Sequence, residues 1–374
     1  MLSGDNAQGK TSLLEAIYYL ATMTSFQTQN DRQLISFHAP ANEVVVGRIV
    51  ADYSRNNKTH HIEVRLIQER QIDFAYRFRK EILHDGIKKS LHDVIGHFNA
   101  VIFLPQMSRI IEDGPDERRK YINLVLVQAV NNHSRLLADY NQALSQRNAL
   151  LKQVFEGRSP RDQIDYWDQI LARLGSEIVH TRTTAIEEMG NLAAAIHSRL
   201  TGEKEILRCE YRPAFNPVEN GSDQYALPLG LADEKLRLTP EEIYTRFLDA
   251  LRRIRQDEIM RGITTIGPHR DEIRYFADGI DLGHFGSRGQ IRTAILSLKL
   301  SEAAWMYKRT GNYPVILLDE ILAELDQHRR DDLQQYLADY EQSIMTSSDV
   351  HMFSNVFLKS ASVWHVTSGQ IRQD

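Results

Sequence analysis

The chain has 374 residues, 42% of them hydrophobic and 25% charged, which is enough for a large core and about two domains. Its formal net charge of −5 excludes nucleic-acid binding through overall charge, so such binding needs a local basic surface. One cysteine, Cys209, excludes an internal disulfide and a cysteine-based zinc cluster. Because no apolar run approaches a membrane span and no signal peptide is visible, we expect a cytoplasmic protein without a membrane partner.

The first motif is GDNAQGKT, which fits the phosphate-binding pattern G-x-x-x-x-G-K-[ST]. Its glycines let consecutive backbone N–H groups wrap phosphate oxygens, Lys10 reaches the β- and γ-phosphates, and the Thr11 hydroxyl is a Mg²⁺ ligand. Apolar residues at helical spacing follow, so the loop opens a helix whose dipole faces the anion. The motif predicts a nucleoside triphosphate site made of Gly4, Asp5, Asn6, Ala7, Gln8, Gly9, Lys10 and Thr11.

A phosphate-binding loop of this kind follows a buried strand, but few residues precede Gly4. We therefore expect the strand that leads into the loop to be absent from this chain, with the true start of the protein further upstream. Without that strand, two neighbouring strands keep unpaired backbone groups. The N-terminal side of the loop should then be disordered and the affinity for ATP poor.

Several apolar segments follow the first helix. Residues 43–50 and 61–67 are β-branched and partly alternating, and a third strand is predicted near residues 74–78. Residues 100–104 (AVIFL) form a continuous apolar run, which predicts a buried strand. The next segment, GPDERRKYI, predicts a helix with Pro115 near its first position, and we interpret its charges as a solvent-facing surface.

The middle of the chain is predicted to be helical. Core positions step by three and four over residues 136–154 and 164–178, which predicts two long helices that pack together. They are too short for an extended coiled coil, so we interpret them as the stub of an arm. A loop, RPAFNPVENGSD, interrupts this region. The sequence TPEE at residues 239–242 is a capping box that begins another helix, and Gly262 ends it.

The last third of the chain carries a second group of functional candidates. Residues 313–318 (YPVILL) predict a buried parallel strand, and Asp319 and Glu320 follow at its carboxyl end, where ligands bind in open α/β sheets. We assign Asp319 to Mg²⁺ and Glu320 to orienting the attacking water, the two tasks that ATP hydrolysis requires. Upstream, Ser287 precedes another amphipathic helix and is a candidate N-cap.

Together these segments resemble the RecF family of bacterial recombination-mediator ATPases. The resemblance rests on GDNAQGKTSLLEAIYYL, FLPQMSRIIEDGPDERRKYIN, GPHRDEI, FGSRGQIRTAILSLKLSEA and PVILLDEILAELD, in that order. The ATPase motifs are common to ABC and SMC proteins, whereas DGPDERR and GPHRDEI are more particular to RecF. The resemblance implies an α/β fold: a split ABC-type P-loop ATPase head, residues 1–118 and 263–374, with an inserted α-helical domain, residues 119–262.

The resemblance also implies an activity and its partners. It implies a protein of DNA repair and replication that dimerises on ATP, binds single-stranded and duplex DNA at gaps, and hydrolyses ATP slowly. RecO- and RecR-type mediators are the implied protein partners, and ATP and Mg²⁺ the implied cofactors. Lys10 and Glu320 would be catalytic, and Thr11 and Asp319 would lie at the metal. Further nucleotide contacts are implied for Gln106, Ser287, Gly289, Gln290 and Asp326.

Two alternatives stay open: another ABC/SMC-type ATPase, or a nucleotide-gated scaffold that does not hydrolyse ATP. A transporter ATPase subunit is disfavoured because it does not need the helical insertion. A full SMC-like protein would need a much longer coiled coil than this length allows. The 14 histidines show no convincing i, i+4 ligand pair, which argues against a histidine metal site.

Overall fold

The structure is a computed structural model of the chain. It describes residues 1–28, 30–36, 44–70, 76–215, 238–338, 340–349, 353 and 355–373. Most of the loop predicted at residues 212–223 lies outside the described residues. The chain divides into two compact units. The first unit consists of Met1–Ser108, Val127–Asn131 and Leu296–Asp374, and the second of Arg109–Leu126 and Asn132–Ile295.

The described strands are numbered in chain order. They are β1 (Leu2–Ser3), β2 (Val45–Arg55), β3 (Lys58–Arg70), β4 (Tyr76–His84), β5 (Ile87–Lys89), β6 (Ala100–Phe103), β7 (Leu207–Arg212), β8 (Glu272–Ala277), β9 (Ile280–Asp281), β10 (Val315–Asp319), β11 (Ser343–Ser347), β12 (Trp364–Thr367) and β13 (Gln370–Gln373).

The described α-helices are numbered in the same way. They are α1 (Lys10–Thr22), α2 (Leu91–Val94), α3 (Arg109–Glu112), α4 (Pro115–Ala129), α5 (His133–Phe155), α6 (Gln163–Leu200), α7 (Pro240–Arg261), α8 (Leu282–Phe285), α9 (Arg288–Thr310), α10 (Gln327–Ala338) and α11 (Asn355–Ser360). Short 3₁₀ helices span Asp31–Leu34, Pro105–Ser108 and Ile321–Glu324. No helix among the described residues is both long and apolar enough to cross a membrane.

The first unit contains a six-stranded sheet in the order β13-β12-β1-β11-β10-β6. All neighbours pair in parallel except β12 and β13. The two apolar runs predicted as buried strands are β6 and β10, and Leu317 of β10 packs with Leu14 and Tyr18 of α1. Because the strands are parallel, the loops after β1, β6 and β10 leave the sheet at the same edge.

The expectation that no strand leads into the phosphate-binding loop is wrong. Leu2 of β1 pairs with Thr346 of β11 on one side and with Trp364 of β12 on the other, and Ser3 continues both ladders. Both β1 residues are buried. Pairing on both sides satisfies the backbone groups of these two residues. The expectations of disorder at the N-terminal side of residues 4–11 and of poor ATP affinity rested on the absence of this strand, and they lose that support.

A second sheet in the first unit is antiparallel, in the order β2-β3-β4-β5. Its strands β2, β3 and β4 correspond to the three predicted after the first helix and are longer than the sequence pattern indicated. Ile62, Val64 and Leu66 of β3 are buried against Tyr19 of α1 and Met23, the residue that follows α1. Helix α1 therefore packs on both sheets, which fixes the loop at its N-terminus.

The second unit is built on α5, α6 and α7. Tyr140 of α5, Leu171 of α6 and Phe247 of α7 are almost completely buried in one core. Helix α6 has 38 residues and is roughly 57 Å long, well beyond the short arm that the sequence pattern predicted. The predicted capping box at Thr239 is present, and Gly262 ends α7 in a left-handed conformation.

The compact units divide the chain differently from the predicted domains. Residues 109–118 and 263–295, which the prediction placed in the ATPase head, belong to the second unit. The reason lies partly in a three-stranded sheet of that unit, in which β8 pairs antiparallel with β7, the strand that follows α6. The predicted functional boundaries at 118 and 262 stay a prediction.

Candidate nucleotide-binding site

A pocket of about 450 Å³ lies in the first unit, where the loops after β1, β6 and β10 meet. It collects most of the nucleotide-site residues that the sequence predicted. The residues that line it are Asn6, Ala7, Gln8, Gly9, Lys10, Thr11, Ser12, Pro105, Gln106, Asp319 and Glu320. The parallel sheet thus brings three distant segments to one concave surface, as expected for ligand sites in open α/β folds.

Glycine is required at the start of the loop. Gly4 has φ of 148°, and a Cβ atom there would lie 2.4 Å from the Val366 carbonyl oxygen of β12. Gly9 has φ of 101° and caps the N-terminus of α1. The loop therefore closes onto the N-terminus of a 13-residue helix, where free N–H groups and the helix dipole favour an anion.

Lys10 is the buried cation of the site, with 5% of its side chain exposed. Its Nζ donates hydrogen bonds to the carbonyl oxygens of Gly4 at 2.6 Å and Asp5 at 3.1 Å. The same Nζ lies 3.4 Å from Glu320 Oε1. The backbone carbonyls of the loop therefore hold the Lys10 ammonium group at the place where phosphate oxygens would bind.

Thr11 and Asp319, the residues predicted at the metal, are in contact. Thr11 Oγ1 lies 3.0 Å from both carboxylate oxygens of Asp319. Asp319 is largely buried, and Thr346 Oγ1 of β11 donates to its Oδ1 at 2.7 Å. A hydroxyl and a buried carboxylate are hard oxygen donors of the kind that Mg²⁺ prefers, so the residues present fit the implied ion.

Sequence reasoning missed Thr346. This residue supports both candidate acids, because its hydroxyl donates to Asp319 and accepts the Glu320 backbone N–H at 3.1 Å. The available signal was a polar residue within the strand SIMTS, one strand away from β10 in the sheet.

Glu320 has an unusual backbone. Its φ is 50°, a left-handed conformation that is rare for residues other than glycine and asparagine. Such conformations cost roughly 1–3 kcal/mol and concentrate at functional sites. With 37% of its side chain exposed, Glu320 can meet both Lys10 and solvent in the pocket.

A second missed contact links the loop to the end of the chain. Gln8 accepts backbone hydrogen bonds from Ser368 to its side-chain oxygen, at 2.6 Å, and from Gly369 to its carbonyl, at 2.9 Å. Both donors lie in the turn between β12 and β13. A Ser-Gly pair signals a turn in the sequence but gives no sign of what the turn contacts.

Several predicted nucleotide contacts do not line this pocket. Ser287, Gly289 and Gln290 lie in the second unit at the start of α9, where Ser287 and Gln290 exchange the hydrogen bonds of a capping box at 3.1 and 3.2 Å. Asp326 is in the first unit, where it accepts hydrogen bonds from the backbone and guanidinium of Arg329. The N-cap prediction for Ser287 is confirmed, and the nucleotide roles of these residues stay predictions.

The segments DGPDERR and GPHRDEI meet within the second unit. Arg118 Nε donates to Glu272 Oε1 at 2.8 Å, and Arg119 Nη1 donates to the Asp271 carbonyl at 2.6 Å. The two arginine side chains are only 12% and 14% exposed, so the interpretation of a solvent-facing surface is wrong for them, whereas Asp116 and Lys120 of the same run are 84% and 60% exposed. Asp271 is completely buried and pairs with Arg182 at 3.1 Å. The two segments therefore connect α4, α6 and the start of β8 within the second unit through buried ion pairs and hydrogen bonds.

The fold and site define a P-loop ATPase head of the ABC/SMC class with an inserted helical unit. Residues 1–372 match the family model for the RecF/RecN/SMC N terminal domain. The DNA replication and repair protein RecF of Roseiflexus castenholzii is 36% identical over 381 residues, which cover 99% of this chain and 93% of that protein. The corresponding protein of Herpetosiphon aurantiacus is 34% identical, with 98% and 92% coverage.

Solved structures agree with these relatives. The recombination mediator protein RecF-ATPrS in the RecFOR pathway aligns with a TM-score of 0.80 and 28% identity, over all of this chain and 91% of that one. The RecF-ATP structure of the same pathway aligns with a TM-score of 0.77 and 26% identity, over all of this chain and 90% of that one. The chain belongs to the RecF family of DNA replication and repair ATPases, and the predicted family and fold class are confirmed.

Proposed function

We propose that this chain binds ATP and Mg²⁺ in the pocket of the first unit, forms a homodimer on ATP, and holds DNA where single-stranded and duplex regions meet. The observation that carries the proposal is the convergence of Lys10, Thr11, Asp319 and Glu320 in one pocket. RecO- and RecR-type mediators are the proposed protein partners, supported by relatives named in the RecFOR pathway. Because the proposed DNA partner is bacterial chromosomal DNA, the proposed location is the cytoplasm.

Each pocket residue has a task that follows from its position. The loop N–H groups and Lys10 Nζ bind phosphate oxygens, and Lys10 exchanges its carbonyl partners for them. Thr11 Oγ1 and the Asp319 carboxylate would hold Mg²⁺, which when bound offsets the negative charge that develops on the phosphates. Gln106 lines the same pocket and is a further candidate for nucleotide contact.

Glu320 is the proposed general base. Its carboxylate orients a water molecule toward the terminal phosphate and accepts a proton from it, with the Lys10 ammonium 3.4 Å away. The left-handed backbone of Glu320, held by the Thr346 hydroxyl, fixes the side-chain direction. Removal of a general base typically slows a reaction by roughly 10²- to 10⁴-fold.

The test combines ATP binding, ATP turnover and sedimentation of the full chain with and without ATP and gapped DNA. Lys10→Met should lose ATP binding and the ATP-dependent dimer. Glu320→Gln should keep ATP binding, slow turnover strongly, and trap the dimer on DNA. Lys120→Met is a matched control, because Lys120 is 60% exposed and pairs with Glu117 on α4.

Normal ATP binding by Lys10→Met would contradict the proposed site. Turnover that Glu320→Gln leaves unchanged would contradict the role of that carboxylate. The scaffold alternative predicts a different pattern, in which the wild-type chain dimerises on ATP but releases no phosphate above the rate of Lys10→Met.

A further inference from the structure

The antiparallel sheet of the first unit carries a cluster of His60, His84 and Asp85, called here the His-Asp cluster. One potential ligand atom of each residue lies within 4.8 Å of those of the other two. His60 lies on β3, His84 is the last residue of β4, and Asp85 begins the turn to β5. None of the three lines the nucleotide pocket, so the proposed ATPase does not use them.

Strand register brings the cluster together. His84 pairs with Ile62 of β3, and the Asp85 N–H continues the ladder by donating to the His61 carbonyl at 2.8 Å. The His61 N–H in return donates to Asp85 Oδ1 at 2.8 Å. These two hydrogen bonds hold the turn against β3 without an ion. The second carboxylate oxygen of Asp85, Oδ2, faces the two imidazole rings.

The atoms of the cluster converge on Asp85 Oδ2. His60 Nδ1 lies 2.9 Å and His84 Nδ1 lies 3.6 Å from this oxygen. The two rings are stacked, with centroids 5.4 Å apart and planes 19° from parallel. Two imidazole nitrogens and one carboxylate oxygen thus point to a common space.

Tyr53 orients one of the two rings. Its hydroxyl lies 2.7 Å from His84 Nε2. Burial raises the pKa of Tyr53 to about 12, so the hydroxyl is neutral near pH 7. When His84 Nε2–H donates to this hydroxyl, Nδ1 carries the lone pair, and Nδ1 is the nitrogen that faces Asp85. Metal-binding histidines usually have such a partner on the other ring nitrogen.

The charge states of the cluster suit a cation. Burial lowers the pKa of His84, so its ring is neutral near pH 7. Hydrogen bonds from His60 and the His61 backbone lower the pKa of Asp85 to about 2, so its carboxylate is ionised. The positive charge of Lys89 near His84 would repel a divalent cation, which lowers the affinity of the cluster for such an ion.

We propose that His60, His84 and Asp85 bind one Zn²⁺ ion, with water as the fourth ligand. Tetrahedral zinc with bonds of about 2.0–2.2 Å needs ligand atoms about 3.4 Å apart, so closing the cluster takes side-chain movements of about 1 Å. Zinc binding at His60 Nδ1 requires the neutral ring with its proton on Nε2, so the Nδ1 proton that faces Asp85 would leave to solvent while Nε2 takes one up, and the ring stays neutral. Asp85 is exposed, which gives the ion access. The zinc would tie the β4–β5 turn to β3.

Calorimetric titration of the full chain with zinc chloride tests this proposal. Excess MgCl₂ is present throughout, so that the oxygen ligands near Thr11 are not free to bind zinc. The variants are His60→Gln and His84→Gln. The matched control is His61→Gln, because His61 is the adjacent histidine and pairs instead with Asp52 at 2.7 Å.

The wild-type chain and His61→Gln should bind one zinc ion with equal affinity. His60→Gln and His84→Gln should bind it at least tenfold more weakly, because each loses a direct ligand. Co²⁺ in place of zinc should give the visible absorption of a tetrahedral site in the wild-type chain and lose it in both variants. Thermal unfolding without metal checks that each variant folds. If His84→Gln does not fold, the zinc affinity of His60→Gln alone tests the proposal.

Zinc binding by folded His60→Gln with wild-type affinity and stoichiometry would overturn the proposal. An equal loss of zinc binding in His61→Gln would also overturn it, since the effect would then not belong to the His-Asp cluster. The proposal would also be overturned if the wild-type chain bound no zinc in the presence of Mg²⁺.

Discussion

Thr11 Oγ1 lies 3.0 Å from both carboxylate oxygens of Asp319, although 308 residues separate the two in the chain. Thr11 lies in the first turn of α1 after β1, Asp319 ends β10, and the parallel sheet places both at the same edge. A hydroxyl and a carboxylate that already touch need little rearrangement to share a metal ion. Their contact is therefore the basis for a prediction about Mg²⁺.

Asp319→Asn should reduce the Mg²⁺-dependent part of ATP affinity by about tenfold or more, because the amide lacks the charge that holds the ion. ATP titrations with Mg²⁺ and with EDTA measure this difference. Asp249→Asn is the control, since Asp249 is 62% exposed on α7. An Asp319→Asn chain whose ATP affinity responds to Mg²⁺ like the wild-type chain would rule out the assignment.

Ser287→Arg should leave ATP binding by the monomer intact and abolish the ATP-dependent dimer. In the proposed dimer the capped N-terminus of α9 would face the γ-phosphate bound by a partner, an effect of about 0.3–2 kcal/mol that a bulky arginine side chain would block. Ser287→Thr keeps the cap and should dimerise normally. Sedimentation with ATP distinguishes the two variants, and a normal dimer of Ser287→Arg would be incompatible with this role.

Arg147→Met should destabilise the second unit by about 3–5 kcal/mol, because removing one partner leaves buried carboxylates uncompensated. The Arg147 side chain is completely buried, with nitrogens 2.7 Å from Asp168 and 2.7 Å from Glu258. Arg252→Met should cost less than about 1 kcal/mol, since Arg252 is 49% exposed. Urea denaturation followed by helix content compares the two variants, and equal small losses would disprove the prediction.

His133 predicts a loss of stability at acidic pH. Its side chain is 1% exposed, neither ring nitrogen has a hydrogen-bond partner among the described residues, and burial lowers its pKa to about 4. In the unfolded chain the His133 ring takes up a proton near pH 6.5, whereas in the folded chain it does so only near pH 4. The neutral His133 ring therefore contributes its full stability above pH 6.5, and this contribution is lost as the pH falls toward 4. The full loss is about 3 kcal/mol.

His133→Phe removes this titration, so its stability should fall less between pH 7 and pH 4.5 than that of the wild-type chain. Melting temperatures across this range give the comparison, and His133→Leu serves as a second variant if the larger ring does not pack. Parallel pH profiles for the wild-type chain and a folded variant would show that His133 does not cause the effect.

The sequence by itself determined the features that a few neighbouring residues encode. The loop at residues 4–11, the strand before Asp319, and the capping box at Thr239 were predicted close to their observed positions. These signals are local because backbone sterics, side-chain periodicity and capping hydrogen bonds act over one or two turns. The resemblance to RecF was also carried by such short segments, and it led to the correct family.

Tertiary structure decided which distant segments meet. No sequence signal indicated that Leu2 would pair on both sides, and a polar residue in the strand SIMTS did not by itself show that Thr346 would support Asp319 and Glu320. Arg147 stood at an apolar core position, and only its carboxylate partners on two other helices explain its burial. These contacts depend on strand register and helix packing, which the summed interactions of the whole core select and no short segment encodes.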